Sequence, residues 1–356
     1  MLQQFIGQSS SSLNNSINTA VILAAGRGER ITGGEEYRSK PLIKLYNLSL
    51  IERSIKKLSD KLNVNKIYVI TGFKHDKLKI HLDKLKKKLT VDLEIIFAKE
   101  WEKGNGASFL SVLNSIKQKQ FYLLMVDHIF NDEFYSTISK SKINNTKCYL
   151  AISKSLSSKH DYNDATRVKI SEKKITNIGK SISEVDGFDT GFFVLRSEIF
   201  NDVKNLSEKK SLSISDVMQE LIQEQKLYFI EVAAESWLDI DTKKDFSNAK
   251  DFLLNFSSSK TNDGLISTYL NRRISNWITS KIVDYPITPN QISVVAFLIS
   301  VIASLIIVKQ GYFFLVLGAL LAQLSSILDG CDGEVARLKL LSSKYGGWFD
   351  QVLDRY

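Results

Sequence analysis

Thr19-Ala20-Val21-Ile22-Leu23-Ala24-Ala25-Gly26-Arg27-Gly28-Glu29-Arg30 is an unbroken apolar run that ends in a glycine-rich, charged loop. A continuous run of this kind reads as a strand buried on both faces, as in a parallel sheet. The glycines that follow let backbone N–H groups approach a phosphate chain closely. Working outward, the pattern alternates. Residues 50–58 have the spacing of an amphipathic helix, 66–70 of a second strand, 77–89 of a basic helix and 93–97 of a third strand. The lysine run at 84–88 reads as a solvated helix face. Residues 121–126 form a fourth apolar strand, which ends at Asp127 and His128. Strands separated by helices predict an α/β, doubly wound, Rossmann-like sheet. Asp127, at the carboxyl end of a central strand, then lies at the ligand crevice.

Further chemistry is spaced around that sheet. Lys40-Pro41-Leu42 follows the first loop, and Gly104-Asn105-Gly106-Ala107-Ser108 opens a helix expected to run to about residue 116. Asn105 and Ser108 are equally plain as helix-capping residues. Beyond Asp164 the simple alternation breaks, with Gly179-Lys180 and then Asp189-Thr190-Gly191 leading a new apolar run. In Trp237-Leu238-Asp239-Ile240-Asp241-Thr242, alternation puts Asp239 and Asp241 on one side of an extended segment. Asp241 is the favoured partner of Asp127 in a metal site, while Asp239 also fits a capping role before a closing helix at 243–256. A dinucleotide dehydrogenase needs G-x-G-x-x-G and an acidic residue ending strand two. Here Ile70 is followed by Thr71-Gly72, and no Walker loop occurs.

L-A-A-G-x-G-x-R followed by K-P-L resembles the nucleotidyltransferases that activate sugar and polyol phosphates with nucleoside triphosphates. The resemblance implies that Leu23, Ala24, Ala25, Gly26 and Gly28 follow the nucleotide, with Gly104, Asn105, Gly106 and Ala107 against its base. Arg30 and Lys40 would neutralise the triphosphate and the departing pyrophosphate. Asp127 and Asp241 would hold Mg²⁺ or Mn²⁺. Lys180 would meet the phosphate of a phospho-polyol, and Asp189, Thr190 and Gly191 its hydroxyls. His128 would orient the loop without a catalytic role.

After residue 256 the composition changes. The polar stretch 257–264 reads as a linker, and 265–283 as a basic amphipathic helix with Tyr269 and Trp277, suited to a membrane interface. Thr288-Pro289 is an N-cap and first-turn signal. Residues 292–308 and 312–328 are almost wholly apolar, each long enough with its flanks to cross a bilayer. Arg272, Arg273, Lys281, Arg337, Lys339 and Lys344 fall on one side of these spans and Lys309 alone on the other. The positive-inside rule then predicts a multi-pass cell-membrane protein with its catalytic parts on the cytoplasmic side. At the edge of the second span stands Asp329-Gly330-Cys331-Asp332-Gly333-Glu334-Val335-Ala336-Arg337, followed by Gly346, Asp350 and Asp354. Helical i,i+3 and i,i+4 spacing puts each Asp pair on one face. Converging carboxylates suit hard divalent cations, and carboxylates at a membrane boundary are costly enough to point to function.

This pattern, D-x2-D-G-x2-A-R-x8-G-x3-D-x3-D, resembles the signature of the CDP-alcohol phosphotransferases. It implies that Asp329, Asp332, Asp350 and Asp354 hold two metals on a CDP-alcohol diphosphate, with Asp354 also the candidate base. Gly333 and Ala336 would leave room for the nucleotide, and Arg337 would pair with phosphate. That family has six membrane helices and dimerises through them. Residues 265–356 are therefore expected to carry the first half of such a domain, short of the transferase step by themselves. The two parts together are similar to the family of fused inositol-1-phosphate cytidylyltransferases and di-myo-inositol phosphate phosphate synthases. The likeness implies CTP, inositol-1-phosphate and CDP-inositol as ligands. Another phospho-alcohol, serving phospholipid headgroups, and a non-catalytic scaffold are the alternatives. About 40 serines and about 20 asparagines argue against a hyperthermophilic source, where that family makes an osmolyte.

A net charge of +9 without a nucleic-acid motif fits anionic lipid headgroups and phosphorylated substrates. Cys148 and Cys331 provide neither a disulfide framework nor a CxxC metal site. Residues 1–18 lack the basic and apolar regions of a signal peptide and are expected to be a disordered leader.

Overall fold

A computed structural model of the chain describes residues 17–33, 39–113, 115–258 and 271–353. Most of the expected leader, most of the linker, the first part of the 265–283 stretch and Asp354 lie outside those residues.

The opening run is strand β1 (Thr19–Ala24), buried at every position, and the loop after it leads to the single turn α1 (Glu29–Thr32). A hairpin follows, β2 (Lys44–Leu45) and β3 (Leu48–Ser49), before α2 (Leu50–Leu62), β4 (Lys66–Thr71), α3 (His75–Lys86) and β5 (Asp92–Phe97). Next come α4 (Asn105–Leu110), β6 (Gln120–Met125), β7 (His128–Phe130), α5 (Asp132–Lys140) and β8 (Cys148–Ser153). The acceptor-side half holds β9 (Arg167–Ser171), β10 (Lys174–Gly179), β11 (Gly187–Arg196), α6 (Ile199–Val203), α7 (Ile214–Gln223), β12 (Leu227–Val232) and β13 (Trp237–Asp239). Helix α8 (Lys243–Ser258) closes it.

The main sheet has the order β5-β4-β1-β6-β11-β8-β12-β10-β9. Its first four strands are parallel, as expected from the alternation. The other half is mixed: β11 runs antiparallel to both β6 and β8, while β12 is parallel to β8. Two apolar clusters cover the two faces, one built around Ile22, Ile51 and Phe192 and the other around Val21, Phe109 and Phe193. Adjacent residues of one strand thus serve opposite layers, as strand geometry requires.

Local chemistry places the ends. Ser49 accepts from Glu52 N–H at 3.2 Å and starts α2, while Ser213 and Asp216 form a reciprocal capping box on α7. Helix α4 is shorter than expected. It stops at Leu110, and turns carry the chain on to Leu113.

The C-terminal part is helical: α9 (Arg272–Ile282), α10 (Pro289–Ile307), α11 (Tyr312–Leu338) and α12 (Lys344–Leu353). Thr288 and Gln291 form a capping box on α10 with Pro289 in its first turn. Helices α10 and α11 are long and apolar enough to cross a membrane. Small residues bring them together. A Cβ on Gly318 would lie 2.3 Å from Ile307 Cγ1, and Ser325 Oγ donates to Ala296 O at 2.7 Å. Val295, Leu298, Ile302 and Leu305 of α10 stay exposed, a face matched to lipid or further helices. Helix α11 does not end with the apolar span. It continues unbroken through the Asp329–Arg337 motif.

Two candidate active sites

Strand pairing assembles the first site. β13 pairs antiparallel with β7, setting Asp239 opposite His128, and Ile240 N–H donates to Asp127 O at 3.0 Å. Asp241 thereby reaches Asp127 across more than a hundred residues of sequence. Lys40 Nζ donates to Asp127 Oδ2 at 2.7 Å and to Asp241 Oδ1 at 2.5 Å. The two carboxylates are therefore close enough for one cation to bridge, which is the donor set a Mg²⁺-type ion takes. Arg30 extends the network, donating to Asp241 Oδ2 at 2.6 Å and to Asp164 Oδ2 at 2.5 Å, and Lys180 donates to the other Asp164 oxygen.

Burial works against the charges here, and pairing overcomes it. Burial alone would raise Asp127, yet the Lys40 ammonium and His128 hold it well below the usual carboxylate range. Burial likewise would lower Lys40, but Asp127 and Asp241 keep it above its ordinary value. Asp189 has no ion pair among the described residues and only the His128 ring near it. Burial pushes it up to about 6, against the Gly191 N–H that donates to it at 2.7 Å.

A cleft of about 650 Å³ opens over this network. Of the expected nucleotide residues, Leu23, Ala25, Gly26, Gly28, Gly104 and Asn105 line it, together with Arg30, Lys40, Asp127 and Asp241. Ala24, Gly106 and Ala107 do not. Several glycines do work other than admitting a ligand. At Gly28 (φ 65°) a Cβ would lie 2.6 Å from Lys40 Cβ, so this glycine lets the lysine stem pass. At Gly106 a Cβ would lie 2.3 Å from Ser213 O, and Gly106 N–H donates to Leu212 O at 3.0 Å. That glycine seats α4 on the loop before α7. Asn105 Oδ1 accepts from Ile214 N–H at 2.8 Å, tying the same two elements.

In the acceptor half, Thr190 is fully buried and donates to Ala151 O at 2.8 Å, so the sheet rather than the cleft takes its hydroxyl. Gly191 (φ 71°) leaves room for the His128 ring, which stacks on Trp237 at 6.0 Å and donates through Nδ1 to Asp127 Oδ1 at 2.9 Å. Sequence reasoning missed Trp101, Arg27 and Asp164. Trp101 lines the cleft with the Arg27 guanidinium 5.2 Å from its ring centroid, and Asp164 joins Arg30 to Lys180. The one signal for Trp101 is its position just past the carboxyl end of β5.

The second site lies between α11 and α12. Asp329, Asp332 and Asp350 each bring a carboxylate oxygen to within 4.8 Å of the others, a spacing fitted to divalent cations. A cavity of about 420 Å³ sits over them, lined also by Gly333, Ala336, Arg337 and Gly346. Ser293 of α10 donates to Asp332. Glu334, which the motif treats as variable, is buried and accepts from Ser275 and Thr279 of α9, both at 2.6 Å. Gly333 makes room chiefly for Arg337, whose Nη1 would lie 3.1 Å from a Cβ there. Arg337 itself donates through Nε to Ser257 O at the end of α8. Asp354 is outside the described residues.

An acidic pair with two cations at the carboxyl edge of an α/β sheet, joined to an acidic triad at the end of a helix able to span a membrane and on the helix after it, defines a nucleotidyltransferase fused to a CDP-alcohol phosphotransferase. Comparison agrees: residues 19–255 match the nucleotidyl transferase family and residues 286–356 the CDP-alcohol phosphatidyltransferase family. Both families typically use divalent metals. The chain is 37% identical over 344 residues to the "Bifunctional IPC transferase and DIPP synthase" of Aquifex aeolicus, covering 96% of this chain and 75% of that protein. The proteins of the same name from Thermococcus kodakarensis and Archaeoglobus fulgidus are 35% and 33% identical, each over 95% of this chain and over 73% and 63% of their own lengths. The chain belongs to this bifunctional family. The inositol-1-phosphate CTP transferase of T. maritima shares the fold, with a TM-score of 0.60 at 22% identity over 69% of this chain and 99% of that one. A putative glucose-1-phosphate thymidylyltransferase from Bacillus anthracis superposes with a TM-score of 0.57 at 18% identity, over 65% of this chain and 94% of its own.

Proposed function

We propose that the chain makes CDP-inositol from CTP and inositol-1-phosphate in its α/β domain. The helical domain to which residues 265–356 contribute the acid cluster then passes the phospho-inositol group to the hydroxyl of an acceptor such as a second inositol-1-phosphate. The carrying observation is the pairing, on one polypeptide, of the Lys40–Asp127–Asp241 network with the Asp329–Asp332–Asp350 triad.

In the first reaction a phosphate oxygen of inositol-1-phosphate attacks the α-phosphorus of CTP, and pyrophosphate leaves. Arg30 and Lys40 carry the charge on the leaving group, so their present carboxylate partners hold them at the edge of the cleft. Lys180, bonded to Asp164 beside Arg30, receives the incoming phosphate, and Asp189 meets a polyol hydroxyl. In the second reaction the acceptor hydroxyl attacks the phosphorus that bears inositol, the bond to the CMP oxygen breaks, and CMP departs. Asp354 takes the hydroxyl proton. Asp127 with Asp241, and Asp329, Asp332, Asp350 and Asp354, are the residues that would hold divalent cations, Mg²⁺ foremost, with Mn²⁺ able to substitute. Bound there, such ions neutralise the phosphate charge.

Helices α10 and α11 and the lysine and arginine distribution support a multi-pass membrane protein with both sites on the cytoplasmic side. The exposed apolar faces suit lipid and a homodimer formed through the membrane part.

The test supplies CTP, Mg²⁺ and a panel of phospho-alcohols to the protein in membranes, and follows pyrophosphate and CMP. Inositol-1-phosphate should give pyrophosphate first. Asp127→Ala should abolish pyrophosphate release in a folded protein, and Asp332→Asn should abolish only CMP release from supplied CDP-inositol. Pyrophosphate release that favours phosphocholine or a sugar phosphate would overturn the choice of polyol. Release surviving Asp127→Ala would overturn the metal assignment.

A further inference from the structure

The two sites are joined by a buried arginine that neither reaction uses. Arg53 of α2 is 4% exposed, and its Nη2 donates to two backbone carbonyls, Leu45 O at 2.7 Å and Leu338 O at 3.0 Å. Burial lowers it to about 10, against the weaker pull of Tyr46, Glu52 and Tyr135. The negative end of a helix also faces it, because Leu338 is the last residue of α11 and its carbonyl is among those a helix leaves unsatisfied.

The β2–β3 hairpin adds to the contact. Tyr46 (φ 54°) and Asn47 (φ 62°) make its left-handed turn, from which Asn47 Nδ2 donates to Asp284 O at 2.7 Å in the α9–α10 connection. Leu338 and Val283 are both buried in the apolar cluster of the α/β domain, against the layer that holds Ile51 and Ile55. Leu45 lies five residues after Lys40, and Leu338 six residues after Asp332. The guanidinium thus spans the short gap between the segment that carries a first-site lysine and the helix that carries the second-site carboxylates.

We propose that Arg53, with the hairpin turn at Asn47, is a positioning latch for the membrane site: it fixes the end of α11, and with it the turn into α12 that sets Asp350 against Asp329 and Asp332. This rests on the functional reading above. The experiment uses the full-length enzyme in lipid nanodiscs with three variants, Arg53→Met, Arg53→Lys and Asn47→Gly. The last keeps the left-handed turn and deletes only the donor.

Three quantities are read: pyrophosphate release, CMP release from supplied CDP-inositol across a Mg²⁺ titration, and backbone hydrogen exchange at residues 283–285 and 339–343. Arg53→Met should speed exchange in both segments by about tenfold or more, lower the kcat for CMP release by about tenfold, and raise the Mg²⁺ midpoint. Pyrophosphate release should stay within about twofold. Asn47→Gly should shift the same quantities by a smaller factor, and Arg53→Lys should recover part of the loss. Unchanged exchange in these segments would overturn the latch, as would equal loss of both reactions at an unmoved Mg²⁺ midpoint. Should Arg53→Met not accumulate in folded form, Asn47→Gly decides by the same criteria. Wild-type enzyme that releases no CMP counts against the functional reading instead, and the exchange data then decide the latch.

Discussion

Replacing Lys40 by Met tests the first site through stability as well as rate. The ammonium is 7% exposed and bridges two carboxylates that keep roughly a fifth of their surface, so its removal leaves two acids facing each other with one cation lost. Breaking a buried pair costs about 3–5 kcal/mol. Arg30 remains on Asp241, which puts this case near the lower end, about 3 kcal/mol. The raised value of Lys40 means its contribution is complete below the unfolded-state value of 10.5 and is lost only as pH rises through the folded value, so neutral pH shows the full effect. The lowered value of Asp127 has the opposite sense: its contribution is present above 3.8 and is lost as pH falls below it. A divalent cation should take the vacated place between the acids. At ten times its dissociation constant it would return about 1.4 kcal/mol. Urea melts with and without Mg²⁺ should therefore show a larger metal-induced gain for Lys40→Met than for wild type, with pyrophosphate release reduced by about a thousandfold or more. Equal metal dependence in the two proteins, or a variant more stable than wild type without metal, would refute the bridged-carboxylate account.

Two other substitutions probe the surrounding structure. Asp189 is held above its ordinary value of 3.8, so ionising it costs folding stability as pH rises through about 6. Asp189→Asn should stabilise the protein by about 3 kcal/mol at most at pH 7.5, with the gain shrinking as pH falls toward 4, and should raise the KM for the phospho-polyol. Gly106→Ala drives a Cβ into Ser213 O and should cost about 1–3 kcal/mol with a lower melting temperature, while a Gly26→Ala control, whose Cβ meets nothing within 4 Å, should leave packing intact.

The parallel half of the sheet was legible because each strand is a continuous apolar run, and the run dictates burial on both faces. Asp127 followed from its place at a strand end. Asp329 beside Asp332 was equally plain, since helical spacing alone brings them together, whereas Asp350 joins them from a separate helix that spacing does not bring over. The antiparallel insertion of β11 was not legible: alternation distinguishes strand from helix but carries no direction. The partners of the site residues were hidden for a related reason. Asp164 meets Arg30 and Lys180 across a long separation in sequence, and no local pattern encodes such a contact. The glycines show the same limit. Sequence placed Gly28, Gly106 and Gly333 near ligands, and the structure gives each a neighbouring side chain or backbone to accommodate.

Helix α11 has a consequence for how the protein is born. At about 1.5 Å per residue its 27 residues reach about 40 Å, from Tyr312 to a leucine sealed inside the α/β domain. A ribosome delivers the α/β domain first. Until α11 has been made, the pocket for Leu338 is empty and Arg53 has no helix end to cap. The α/β domain therefore completes its interior only after both long apolar helices have been made, which ties the maturation of the domain holding the first site to the synthesis of the helix that carries the second.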